Sequence, residues 1–288
     1  MNTTHARALT IAAVLAKACR LDVVAFKPGN VSLWASGHAM HADDFLLSAR
    51  VAAPALTAPG ASVGARIEQA VGATRAAVGC NTNLGIVLLL APLAAAACAD
   101  HPRSLRARLA TVLATLTQND AAACYRAIRC AQPAGLGQVA EADVNDEPAL
   151  DLRAAMRLAA DRDRIAHEYV SDYSAVFSCG LRGLAADRQR WHSLAWATTA
   201  CYLRLLAGAP DSHIVRKWGT AVATAVSARA QAVESVVKAC ENPRAVAPLL
   251  WAFDDELKSR GVNPGTSADL TVASVAVLLL LERLTLEQ

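Results

Sequence analysis

No stretch of this 288-residue chain alternates apolar and polar side chains for long enough to make a half-buried strand, whereas apolar residues recur at three- and four-residue intervals from end to end. The spacing predicts an all-α fold. Composition agrees: 54% of the residues are hydrophobic and only 5% aromatic, so the core has to be built from Ala, Leu and Val, which suits closely packed helices better than sheets. The period places helices over residues 4–21, 43–57, 63–78, 82–98, 103–117, 119–130, 149–160, 162–179, 187–206, 212–238, 243–259 and 266–286. Breakers separate them at Pro59-Gly60, His101-Pro102, Gln132-Pro133, Gly180, Pro210 and Asn242-Pro243, as short helix-to-helix connections require. A chain of this length buries one large core, so the expectation is a single domain over 1–288 with about ten to twelve helices.

Several classes of function are excluded at this stage. The apolar runs 86–98 and 272–281 are shorter than the roughly 20 residues a bilayer crossing needs, and each follows a polar loop, so both read as buried central helices. A net charge of +3 with scattered basic residues gives no footprint for nucleic acid. The eight cysteines stand singly on apolar stretches with no Cys-x-x-Cys pair, which predicts buried free thiols in a reducing compartment. Lys17 and Arg20 follow the first apolar stretch instead of preceding it, so the N-terminus reads as an amphipathic helix and the protein is expected to be cytoplasmic. No P-loop, dinucleotide fingerprint, nucleophile elbow or His-Glu-x-x-His motif occurs.

What remains is a set of polar loops set between apolar helices. Near the C-terminus, Asn263-Pro264-Gly265 cannot continue a helix; Thr266 or Ser267 is then placed to cap the next one, with Asp269 in its first turn, where the dipole favours a negative charge or a bound anion. Phe26-Lys27-Pro28-Gly29-Asn30 with Ser36-Gly37-His38, Asn81-Thr82-Asn83-Leu84-Gly85, and Pro133-Ala134-Gly135-Leu136-Gly137 leading to Asp143 have the same character. The Asn81-Thr82-Asn83 triplet offers amide and hydroxyl groups to a ribose or a base edge. The 133–148 linker, with Glu141, Asp143, Asp146 and Glu147, is long for a compact domain and reads as functional or mobile. Arg216 and Lys217 lie one turn into the 212–238 helix, where like charge at a positive helix end calls for an anionic partner such as phosphate. His38 and His41 have the spacing of two imidazoles on one helical face, but no third ligand stands at diagnostic spacing for a histidine metal site.

Read together, these four loops resemble the triphosphoribosyl-dephospho-CoA synthase family, from about residue 8 to about residue 284. The resemblance implies an all-helical enzyme that moves the triphosphoribosyl group of ATP to the 2′-hydroxyl of dephospho-CoA or a related coenzyme-like acceptor and releases adenine. Such chemistry needs carboxylates near an oxocarbenium-like C1′, hydrogen bonds to the departing base, and Mg²⁺ with basic residues for the triphosphate. The resemblance assigns catalysis and Mg²⁺ to Asp163 and Asp269, triphosphate binding to Lys27, Arg216 and Lys217, and further nucleotide contacts to Asn30, His38, Asn81, Thr82, Asn83, Asn263 and Thr266. Family members that serve citrate or malonate decarboxylases show Asn-Thr-His-Lys-Gly where this chain has Asn83 and Leu84, and an Asp near the position of Met40 and His41. The residues alone leave plainer readings open: a surface ion pair for Asp163, a helix-dipole complement for Asp269, and for the whole chain a non-catalytic helical protein that binds a phosphorylated cofactor or a partner enzyme. The number of copies is also open, a homo-oligomer included.

Overall fold

A computed structural model of the chain describes residues 3–133, 137 and 141–285. Among the described residues there is no strand, only an isolated bridge between Gly37 and Met40, and the all-α expectation holds. In chain order the helices are α1 (Thr3–Val24), α2 (Ala42–Leu56), α3 (Val63–Val78), α4 (Leu84–Cys98), α5 (Leu105–Ala114), α6 (Gln118–Ala131), α7 (Leu152–Ala159), α8 (Arg164–Val170), α9 (Arg182–Trp191), α10 (Leu194–Gly208), α11 (Ser212–Trp218), α12 (Thr220–Ala239), α13 (Ala247–Ser259) and α14 (Gly265–Thr285). A π-helical turn, Ala175–Leu181, leads into α9, and a 3₁₀ turn, Pro243–Val246, leads into α13.

The two apolar runs became α4 and α14, and both are buried on nearly every side. A helix apolar all round has no solvent face, so it must sit at the centre with amphipathic partners around it. Here α1, α2, α3, α5 and α6 pack with them into one apolar cluster, and α10, α12 and α13 form a second beside it. No described helix is long and apolar enough to cross a membrane. All eight cysteines are free, and burial pushes the thiols of Cys19, Cys124 and Cys201 up to about 12.

The expected count of ten to twelve helices falls short because three predicted helices divide. The 212–238 run breaks at Gly219, whose φ of 85° lies in the region that favours glycine, giving α11 and α12. The 187–206 run breaks where His192 turns left-handed and Ser193 caps α10. Within 162–179, the buried carboxylate of Glu168 accepts from the backbone N–H groups of Ala175 and Val176, at 3.1 and 3.0 Å, and so starts the π turn.

That π turn follows a pair of tyrosines that serve α4. Pro92 inside α4 has no N–H to give, which leaves the carbonyl of Leu88 without its helical donor. The Tyr169 hydroxyl donates to Leu88 O at 2.6 Å, and the Tyr173 hydroxyl donates to Leu89 O at 2.8 Å. Both tyrosines are fully buried, so α8 and its continuation are fixed to the centre of the fold.

Candidate active site

A cavity of about 680 Å³ opens where the N-terminal ends of α4, α8, α11 and α14 converge. Its far wall is apolar and comes from α4, α6 and α7, through Leu88, Ile128, Leu152 and Met156. Most first-turn N–H groups at these helix starts are already taken by side chains, Leu84 N by Asn81, Ile165 N and Ala166 N by Asp163, and Ser267 N by Asp211, so the positive charge on this wall comes chiefly from Arg216 and Lys217.

Asp163 is the N-cap of α8. Its Oδ1 accepts from the N–H groups of Ile165 and Ala166 at 2.8 and 3.2 Å, while its Oδ2 accepts from Arg216 Nη1 at 3.2 Å, on the cavity wall. The sequence reading set a surface ion pair against a functional role; the geometry places that ion pair on the cavity wall and adds a helix cap, since one oxygen holds the start of α8 and the other turns toward Arg216. Arg216 and Lys217 both line the cavity. The dipole argument that pointed to them needs correcting: α11 is only seven residues long, so they stand in its last turn, where cations are favoured. What keeps them candidates for an anion is their position on the cavity wall.

Asp269 lines the same cavity from α14. That helix starts at Gly265, so Asp269 lies beyond the first turn, not in it as expected, and neither Thr266 nor Ser267 is the cap. The N–H of Ser267 donates instead to Asp211 Oδ2 at 2.7 Å, and the Ser267 hydroxyl donates to the same oxygen at 2.8 Å. Asp211 Oδ1 accepts from His213 N and Ile214 N at 2.9 and 3.1 Å, so one fully buried carboxylate satisfies the starts of α11 and α14 together. Asp269 is thereby free of capping duty. Burial, and after it the carboxylates of Asp22, Asp211 and Asp163, push its carboxyl well above the ordinary carboxylate range, against the pull of Arg216.

The seat of Asp269 explains a glycine. A Cβ at Gly85 would stand 2.0 Å from Asp269 Oδ2 and 2.8 Å from Ile165 Cδ1. Gly85, in the first turn of α4, lets the carboxylate lie against the backbone there. The Asn81–Gly85 loop and the 263–269 loop are two halves of one wall.

Other sequence candidates sort by what their polar atoms already do. Asn81 lines the cavity and accepts from Leu84 N at 3.1 Å through its side-chain oxygen. Thr82 shares a hydrogen bond with the Ser48 hydroxyl at 2.6 Å, and Asn83 donates to Thr74 Oγ1 at 3.1 Å, so both line the cavity while bracing it. Asn30 lines it too and donates to the Tyr202 hydroxyl at 3.1 Å; His38 Nε2 is 2.9 Å from Gly29 O. Thr266 accepts from Ser212 Oγ at 3.0 Å and His213 N at 3.1 Å, and Asn263 stands beside it on the wall with a buried Oδ1 that has no hydrogen-bond partner among the described residues.

Lys27 is the exception. It is buried, its ammonium pairs with Asp22 Oδ1 at 3.0 Å and donates to the Asp22 carbonyl, and it does not line the cavity. A point charge for phosphate is therefore not what it presents. Burying an ammonium is costly without a partner, and Asp22 is that partner. Asp22, His213 and Gly85 all reach the cavity wall and were missed as site residues. Asp22 lies within an ordinary helical stretch, and His213 stood in a cluster read for its basic neighbours. From the 133–148 linker, Asp143 lines the wall; residues 134–136 and 138–140 lie outside the described residues.

Fold and site together define an all-helical protein with a cavity, apolar on one wall, bordered on the other by carboxylates, an arginine and a lysine. The sequence pattern of the ATP:dephospho-CoA triphosphoribosyl transferase family, CitG, matches residues 8–288, and the chain belongs to that family. A crystal structure from Archaeoglobus fulgidus, provisionally described as a triphosphoribosyl-dephospho-CoA synthase, is similar in fold with a TM-score of 0.62, over 81% of this chain and 97% of that one, at 23% identity. No curated protein sequence matches this chain.

Proposed function

We propose that this chain, as a transferase of its family, breaks the C1′–N9 bond of ATP in the cavity described above and joins C1′ to the 2′-hydroxyl of dephospho-CoA or a related coenzyme-like alcohol, releasing adenine. The observation that carries this reading is the convergence of Asp163, Asp269, Arg216 and Lys217 on one cavity. Arg216 and Lys217 suit the triphosphate. The Asp163 carboxylate suits the positive charge that grows at C1′, and Asp269 would add to it once a bound cation displaces its proton. Asn81 and Asn263 suit hydrogen bonds to ribose or base.

Mg²⁺ fits these residues as a companion of the nucleotide. Among the described residues no group of three or more His, Cys, Asp and Glu side chains is arranged to hold a metal. Magnesium is commonly held by one or two carboxylates plus substrate phosphates, and Asp163 and Asp269 supply two hard oxygen donors where carboxylates already crowd each other. The ion would neutralise triphosphate charge. With Asp163 holding the ion, Arg216 would be left to pair with phosphate.

The test is to incubate the protein with ATP, Mg²⁺ and a panel of coenzyme-like alcohols including dephospho-CoA, then weigh the acceptor by mass spectrometry. An acceptor heavier by one triphosphoribosyl group supports the proposal. ATP binding with every acceptor unchanged in mass overturns it in favour of a binding protein.

A further inference from the structure

The transfer needs a base for the attacking hydroxyl, and most cavity groups able to act as one are already engaged. Asp163 divides its oxygens between the start of α8 and Arg216. Asp22 is paired with Lys27, and His38 Nε2 is bound to Gly29 O. Asp269, seated against Gly85, has no hydrogen-bond partner among the described residues, but its raised carboxyl favours holding a proton over taking one. His213 differs from the paired groups and from Asp269. Its imidazole lines the cavity, partly buried, and neither ring nitrogen has a hydrogen-bond partner among the described residues. The ring closes over the start of α14, where a Cβ at Gly265 would stand 2.4 Å from Nδ1. Its backbone N–H, held by Asp211 and Thr266, fixes the residue from below.

We propose that His213 is the general base of the transfer, taking the proton of the acceptor hydroxyl as that oxygen bonds to ribose C1′. This rests on the function proposed above. The O–C1′ bond forms and the C1′–N9 bond breaks; its electron pair leaves on N9, and adenine takes up one proton. The hydroxyl proton passes to the imidazole and is then given up, so ATP and alcohol become product and neutral adenine with no net proton.

The surroundings tie this base to the nucleotide. Burial holds the imidazole down at about 4; Asp211 opposes this, while Arg216, Lys217 and His38 add to it. It is therefore neutral at physiological pH and free to accept. Bound triphosphate would answer the charges of Arg216 and Lys217 with negative charge, making the imidazole a stronger base once the donor is in place.

The test compares the parent with His213→Gln and His213→Gly for adenine release and for ATP·Mg²⁺ affinity. Turnover should fall about 10²- to 10⁴-fold, with affinity held within about threefold, and added imidazole should restore part of the His213→Gly activity. By proton NMR, addition of ATP·Mg²⁺ should raise the pH at which the His213 ring titrates in the parent. An active parent whose His213→Gln variant keeps turnover within about tenfold, or a loss in His213→Gly that imidazole leaves untouched, overturns the assignment. A parent that releases no adenine overturns the function itself.

Discussion

Asp163 and Arg216, 53 positions apart in sequence, meet on the cavity wall with Oδ2 and Nη1 3.2 Å apart. Each was read from the sequence as a partner for substrate, and in the fold each is the partner of the other. Such a pair holds both charges in place on the cavity wall.

Asp163→Asn separates charge from capping. Asparagine caps a helix about as well as aspartate, so the melting temperature should stay within a degree or two, while adenine release falls about 10²- to 10³-fold. Arg216→Ala should leave stability nearly unchanged, because a half-exposed ion pair contributes only about 0.2–1 kcal/mol, yet weaken ATP binding tenfold or more. Thermal melts and adenine release check Asp163→Asn; calorimetric titration with ATP and Mg²⁺ checks Arg216→Ala, where equal ATP affinity would make the pair a structural ion pair only.

Gly85→Ala tests the seat of Asp269. In an ordinary helix this change is mildly favourable, but here the new methyl group meets the carboxylate and Ile165. Turnover should drop and the Mg²⁺ needed for half-maximal rate should rise. The same change made beside Asp269→Ala should cost less stability than it does alone, a coupling that a double-mutant cycle in urea measures. Additive effects would show that the two residues do not share this contact.

Tyr169→Phe should destabilise by about 1–3 kcal/mol, because the Leu88 carbonyl loses its donor inside the core. Pro92→Ala restores a backbone N–H that reaches Leu88 O in a regular helix, so the tyrosine change should cost less in that background. Urea midpoints of the four proteins decide it. An equal cost in both backgrounds would mean that the proline is not why the tyrosine is there.

The helical class, the two central helices and the polar loops were legible because periodicity and turn chemistry are local. The 86–98 and 272–281 runs are apolar on every face, which already places them at the centre. What was not legible depends on approach between distant segments. Asp211 caps α14 from another helix, so Thr266 and Ser267 looked like the cap. Lys27 looks solvated beside its turn until Asp22 is seen one helical turn back. The break at Gly219 was overlooked because a lone glycine inside a helical pattern is often tolerated.

Asp269 also gives the protein a pH signature. Its carboxyl is raised in the fold, so the native state holds a proton that the unfolded chain releases near pH 3.8. The associated stability is fully present below that value and is lost as pH rises through the native value. Asp269→Asn keeps the neutral shape, so its urea midpoint should gain on the parent's as pH is raised above about 4. A variant that loses ground with rising pH would show that Asp269 is ionised and stabilising, as a helix-dipole complement would be.

The most direct test follows adenine itself. With ATP, Mg²⁺ and an acceptor that the parent modifies, the parent should release free adenine in step with product, and Asp269→Asn should release it slower by orders of magnitude while remaining folded. Release by Asp269→Asn at the parent's rate would contradict the assignment of this cavity as the place where the glycosidic bond breaks.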